Sequence, residues 1–197
     1  TRSGKEAIEN HFDSNFELES ILKISGKQKI LKKFPKNTLK HISMISVRQE
    51  SPLGLGHAIL MAKKTLKEDE PFAIFLPDEF LLSKGKTSDF QRMMKSFKAT
   101  GKGQILSEKI KTSMVSDYGI IKFEQNSSSH QDDKNILEII EKPSRFKAPS
   151  NFRVVGRYIL PFKIMNYLEK LKPGKDNEIQ LTDALKTLIK NKDYVFN

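Results

Sequence analysis

Apolar residues recur among charged ones at helical spacing over residues 5–34, where Ile21, Leu22 and Ile24 mark the buried side, until Pro35 breaks the pattern. Residues 41–47 (HISMISV) then read as a strand. A turn with two glycines follows at Pro52-Leu53-Gly54-Leu55-Gly56, and residues 57–66, carrying Leu60, Met61 and Ala62, predict a helix. The run 72–76 (FAIFL) is apolar at every position, as a strand covered on both faces of a parallel sheet requires. These pieces predict one strand–helix–strand unit. Phe90, Met93, Met94 and Phe97 then fall on one face of an amphipathic helix, a stripe expected in the core.

Strands are expected at 104–107, 118–123, 136–141 and 152–160, joined by links too short for crossover helices, so this section should be more antiparallel. The polar run 126–130 reads as an exposed hairpin loop. Helices return at 161–170, with Pro161 in the tolerated first turn, and at 179–190, where Leu181, Ala184, Leu185, Leu188 and Ile189 share a face. The class is α/β.

Composition narrows the function. The 197 residues contain no Cys, which removes disulfides, thiolate metal sites and Cys nucleophiles and fits a reducing, cytoplasmic setting. No apolar run approaches the length of a membrane span, and the polar start is unlike a signal peptide, so a soluble protein is expected. Thirty-five Lys and Arg against 24 Asp and Glu give a net charge of +11. The six arginines are Arg2, Arg48, Arg92, Arg145, Arg153 and Arg157; the rest of the charge is Lys, densest at 27, 29, 32, 33, 36 and 40. That stretch could follow a polyanion, but no nucleic-acid-binding motif accompanies it, and a solvated surface is the simpler reading. A positive field still favours anionic small substrates.

Candidate chemistry collects where strands end. After residues 41–47 comes Arg48-Gln49-Glu50-Ser51-Pro52-Leu53-Gly54-Leu55-Gly56, where glycines could admit a ligand to backbone amides, or simply connect two elements. After 72–76 comes Pro77-Asp78-Glu79, an acidic pair suited to a hard cation such as magnesium and equally to capping a turn. Thr182-Asp183 opens the last helix, where a carboxylate also suits the macrodipole. Glu141-Lys142-Pro143 ends an apolar strand with one group able to accept sugar hydroxyls and one able to neutralise phosphate; a surface ion pair would look the same. His11, His41, His57 and His130 show no ligand spacing, and no nucleophile elbow is present, so zinc and serine-hydrolase chemistry have no support.

In order, the segments SGKEAIENHFDSNFELE, VRQESPLGLGHAI, PFAIFLPDEF, SDYGII, EKPSRFKAPSN, VVGRYIL and KPGKDNEIQLTDAL resemble bacterial UTP:glucose-1-phosphate uridylyltransferases (UDP-glucose pyrophosphorylases) of the sugar nucleotidyltransferase superfamily. The resemblance covers nearly the whole chain. It implies a Rossmann-like nucleotidyltransferase fold with a mixed, mainly parallel sheet, incomplete at the N-terminus, in a single truncated domain over 1–197. It implies transfer of a uridylyl group from UTP to glucose 1-phosphate, giving UDP-glucose and pyrophosphate with Mg2+. Gln49 and Gly54 or Gly56 would contact the uracil. Gly119, Glu141 and Lys142 would hold the sugar phosphate, Asp78 and Asp183 the magnesium, and Lys142 with Asp78 would carry the catalysis. Where the family often has a second Asp after Leu-Pro-Asp this chain has Glu79, so Asp78 is the expected ligand.

The family's opening G-x-G-T-R loop has no counterpart here, and neither has its closing region. Little turnover is therefore expected of this length of chain, and an open strand edge would favour self-association into a homo-oligomer. A nonenzymatic module binding sugar phosphate or UDP-sugar is the alternative, and polyanion binding a third reading.

Overall fold

In the computed structural model, which describes residues 1–34, 41–82, 85–124, 134–174, 177–192 and 194–197, the chain divides into two compact units, Thr1–Ser51 and Pro52–Asn197. The hairpin loop expected at 126–130 lies outside the described residues, as do Lys36 and Lys40.

The first unit holds three short helices in place of one continuous helix over 5–34: α1 Glu6–Phe12, α2 Phe16–Ile24 and α3 Gln28–Leu31. Polar residues make the breaks. The Asp13 side chain accepts from Ser14 N at 2.7 Å, and that of Asn15 caps α2 by accepting from Leu18 N at 3.0 Å. At the other end Gly26 takes a left-handed φ of 68°, which stops the helix cheaply. Residues 41–47 form no strand, contrary to their pattern. A strand needs a ladder. Here Thr1 N donates to Val47 O at 2.6 Å and Gln49 N to Thr1 O at 2.8 Å, while Ile42, Met44 and Ile45 stay exposed.

The second unit opens with α4 Gly54–Met61 and contains β1 Phe72–Phe75, α5 Asp89–Thr100, β2 Gln104–Lys109, β3 Gly119–Phe123, β4 Ile136–Glu141, β5 Phe152–Leu160, α6 Ile164–Lys170 and α7 Leu181–Lys190. Its five strands form one sheet in the order β1-β5-β3-β4, with β2 also paired to β5. The class is α/β, as read. The mainly parallel pairing is corrected: every ladder among the described strands is antiparallel, and the parallel contact is an isolated bridge between Gly103 and Phe196. The expected strand–helix–strand unit is absent because 41–47 builds no ladder and β1 takes β5 as its neighbour, with Phe72 opposite Leu160 and Phe75 opposite Arg157.

Nor is β1 covered on both faces. Its side chains alternate between half-buried and exposed, and Phe75 is 51% exposed despite its edge-on contact with Phe90. The core lies elsewhere, where α6 and α7 cover the sheet: Ile121, Leu160, Ile164, Leu168, Leu185 and Leu188 are all sealed from water. Each such side chain contributes roughly 1.5–3 kcal/mol on burial. The apolar face read for α7 is the face that is buried, and Met93 of the α5 stripe is buried as expected. Among the described residues no helix is long and apolar enough to cross a membrane.

Candidate functional site

Strand β5 (FRVVGRYIL) fixes the turn after β1. Gly156 lets the two chains close up: a Cβ there would lie 2.6 Å from Leu76 Cβ, and Leu76 N donates to Gly156 O at 2.8 Å. Beyond Leu76 the chain turns at Pro77-Asp78. Arg157 donates from Nη1 to Leu76 O at 2.7 Å and to Gly156 O at 3.0 Å, and from Nη2 to Glu79 O at 2.8 Å. Glu79 is held by its side chain too, accepting from Arg153 Nη1 at 2.7 Å on one oxygen and from Gly156 N at 3.0 Å on the other.

The two acids of the pair therefore differ in kind. Glu79 is engaged by the protein. Asp78 is exposed and makes no hydrogen bond or ion pair with another described residue. Arg153 also reaches Glu108 at 2.8 Å and lies over the Tyr118 ring, 4.7 Å from its centroid. Burial works against its charge, but the hydrogen bonds to Glu79 and Glu108 outweigh that, and its pKa rises.

A second cluster adjoins the first through Tyr118. Its carbonyl accepts from Lys142 N at 3.0 Å, and the next residue, Gly119, pairs with Glu141 across β3 and β4. A Cβ on Gly119 would stand 3.2 Å from Glu141 Oε2 and 3.5 Å from the Thr182 methyl, so this glycine opens a cradle between a carboxylate and the start of α7. Glu141 and Lys142 are exposed and form no ion pair with a described residue. Lys142 has a φ of 43°, unusual for a side-chain-bearing residue and a local strain of roughly 1–2 kcal/mol. It precedes buried Pro143. Asp183 is exposed in the first turn of α7, beside Thr182, whose hydroxyl is buried without a partner among the described residues.

One phenol senses both clusters. Burial pushes the pKa of Tyr158 up, and the negative charges of Glu141 and then Glu79 push it further. Glu79, Tyr118, Gly119, Glu141 and Thr182 are thus linked through Arg153 and Tyr158, with Asp78 next to Glu79 and Asp183 next to Thr182 along the chain.

The remaining predicted residues are Gln49, Gly54 and Gly56. Gln49 belongs to the first unit. Gly54 and Gly56 have a packing reason to be glycine: Gly56 N donates to Ile179 O at 2.8 Å, and a Cβ on Gly56 would come within 2.6 Å of the same oxygen. On Gly54, with φ of 88°, it would meet Glu178 Cβ at 2.8 Å. A cavity of about 270 Å3 between α5 and β2, lined by Arg92, Ser107, Phe123 and Lys134 among others, includes none of the predicted residues.

Sequence reasoning passed over Arg153, Arg157 and Tyr158. The available signal was two arginines four residues apart in an otherwise apolar strand, since charges set into a sheet need partners.

The family model for nucleotidyl transferases matches residues 7–197. The chain belongs to the nucleotidyl transferase family. Among its relatives, the UTP--glucose-1-phosphate uridylyltransferase of Haemophilus ducreyi is 38% identical over 192 residues, covering 96% of this chain and 65% of that protein. The Escherichia coli K12 enzyme of the same name is 38% identical, with 96% and 63% covered. The chain thus spans a little under two thirds of these curated relatives. A UTP-bound UGPase from Acinetobacter baumannii superimposes with a TM-score of 0.86 at 39% identity, covering all of this chain and 66% of that one. A UDP-glucose pyrophosphorylase complexed with UDP-glucose gives 0.85 at 33%, covering all of this chain and 69% of that one. The fold is accordingly the α/β one of the family's solved members, consistent with the Rossmann-like architecture that the resemblance implied, with antiparallel ladders among the described strands in place of the expected parallel ones.

Proposed function

We propose that this protein transfers a uridylyl group from UTP to glucose 1-phosphate, releasing pyrophosphate and forming UDP-glucose. The observation that carries the reading is the cradle at Gly119, where Glu141 and Lys142 stand without ion-pair partners among the described residues and Lys142 takes a strained φ of 43°. Glu141 is suited to accept hydrogen bonds from sugar hydroxyls, and the absence of a side chain at 119 leaves them room. Lys142 balances the phosphate charge. A phosphate oxygen of glucose 1-phosphate attacks the α-phosphorus of UTP in line, the bond to the β-phosphate oxygen breaks, and pyrophosphate leaves; no group on the protein is acylated or phosphorylated.

Asp78 and Asp183 would hold Mg2+. The donor type fits, since both are exposed carboxylates and Mg2+ takes one or two such oxygen donors and completes its shell with water and substrate phosphates; among the described residues no group of three or more His, Cys, Asp or Glu side chains gathers that could hold a metal. When bound, the ion would spread the negative charge of the phosphates. The uracil contacts assigned to Gln49, Gly54 and Gly56 rest on sequence match. A cytoplasmic location accords with the cysteine-free composition.

Pyrophosphate release from UTP, glucose 1-phosphate and Mg2+ tests the reading. Lys142→Ala is expected to lower kcat/KM by about 10²-fold. Binding of UDP-glucose without any pyrophosphate release would leave the binding module and remove the transferase.

A further inference from the structure

The turn that carries Asp78 is shaped by a side chain on another strand. The carbonyls of Leu76 and Glu79 lie on either side of Pro77-Asp78, and one guanidinium, that of Arg157, donates to both, at 2.7 and 2.8 Å, and also to Gly156 O at 3.0 Å. The plane of Arg157 is steadied by the Phe75 ring, 5.2 Å away. Arg153 and Gly156 N anchor Glu79 from the same strand. Asp78 is thus the member of the turn left unengaged while both flanks are fixed. A guanidinium can do this because its donors form a rigid fork, whereas an ammonium is one flexible point charge.

We infer that Arg157 is a positioning residue: by clamping the carbonyls of Leu76 and Glu79 it holds the Asp78 carboxylate ready for a divalent cation, without touching the cation or the substrate. This rests on the assignment of Asp78 proposed above. Loss of such an outer support typically lowers metal affinity by 10- to 100-fold, because the ligand must then be ordered on binding.

The test is Mn2+ binding, followed by electron paramagnetic resonance in the presence of UDP-glucose, with metal-free UDP-glucose binding and thermal melting measured alongside. Arg157→Lys keeps the charge and loses the fork. It is expected to weaken Mn2+ by at least about tenfold while metal-free UDP-glucose affinity, which depends on Gly119, Glu141 and Lys142, stays as in the wild type. Arg157→Gln, which retains a planar two-donor amide, should lose less and serves also if the Lys variant does not fold. Equal Mn2+ affinity in wild type and Arg157→Lys overturns the inference. So does a parallel loss of Mn2+ and metal-free UDP-glucose binding, which would mark Arg157 as merely structural. A wild type that binds UDP-glucose but no Mn2+ removes the metal assignment and this inference with it; one that binds no UDP-glucose removes the functional reading itself.

Discussion

Tyr158 is 4% exposed in β5, and its phenol is held protonated first by burial and then by the charges of Glu141 and Glu79. A phenol whose folded pKa lies above the ordinary value of about 10 stabilises the fold fully below that value, and the contribution disappears as pH rises toward the folded pKa. Stability should therefore fall above about pH 10 and Tyr158→Phe should flatten the fall, and the tyrosinate absorbance that belongs to Tyr158, read as the difference between wild type and Tyr158→Phe, should appear only as the protein unfolds. A difference signal showing Tyr158 ionised at the ordinary pKa while the protein is still folded would contradict this. Lys142 offers a complementary case. At φ of 43° glycine costs nothing, so Lys142→Gly is expected to melt no lower than wild type while losing sugar-phosphate affinity; a lower melting temperature would show that the lysine side chain stabilises the fold. At this scale Asp78, Glu141 and Lys142 stand out as candidates in the sequence because charged residues directly follow apolar runs. That Glu79 is engaged and Asp78 is not could not be read, since the deciding partners, Arg153 and Gly156, lie in β5, far along the chain.

Among the elements, α5 and α7 were legible because their burial follows helical spacing, and α5 carries its own start and stop. Ser88 Oγ accepts from Gln91 N at 3.2 Å, Gln91 Oε1 accepts from Ser88 N at 2.8 Å, and Gly101 ends the helix at φ of 68°. Ser88→Ala should lower stability by about 1 kcal/mol in chemical denaturation; no change would mean that tertiary packing alone sets the start of this helix. The strands were less legible. FAIFL gives no sign of which strand it will join, and Phe75 on its exposed side is met by Arg157 and by Phe90 from the first turn of α5. HISMISV has the alternation of a strand without a ladder to make it one. The turn Gly54-Leu55-Gly56 reads as a ligand loop or as a connection, and its packing against 178–179 becomes visible only when those segments meet. Gly56→Ala would push a methyl to 2.6 Å from Ile179 O and should cost roughly 1–3 kcal/mol, read as a drop in denaturation midpoint; a neutral effect would mean that 178–179 is free to move aside.

For the whole molecule, the hydrophobic pattern gave the α/β class and the resemblance the nucleotidyltransferase architecture, because motif order survives where strand direction cannot be inferred. The sheet of the second unit places the turn after β1, the start of β3, the end of β4 and the start of α7 on one set of contacts through β5. A net charge of +11 suits phosphorylated ligands for either the cradle or the cavity between α5 and β2, so charge alone does not choose between them. A crystal structure of the protein with UDP-glucose and Mg2+ makes that choice. Glucose is expected against Gly119, with its hydroxyls on the Glu141 carboxylate and Lys142 beside the phosphate. Sugar density in the cavity lined by Arg92, Phe123 and Lys134, with the cradle holding only water, would contradict it.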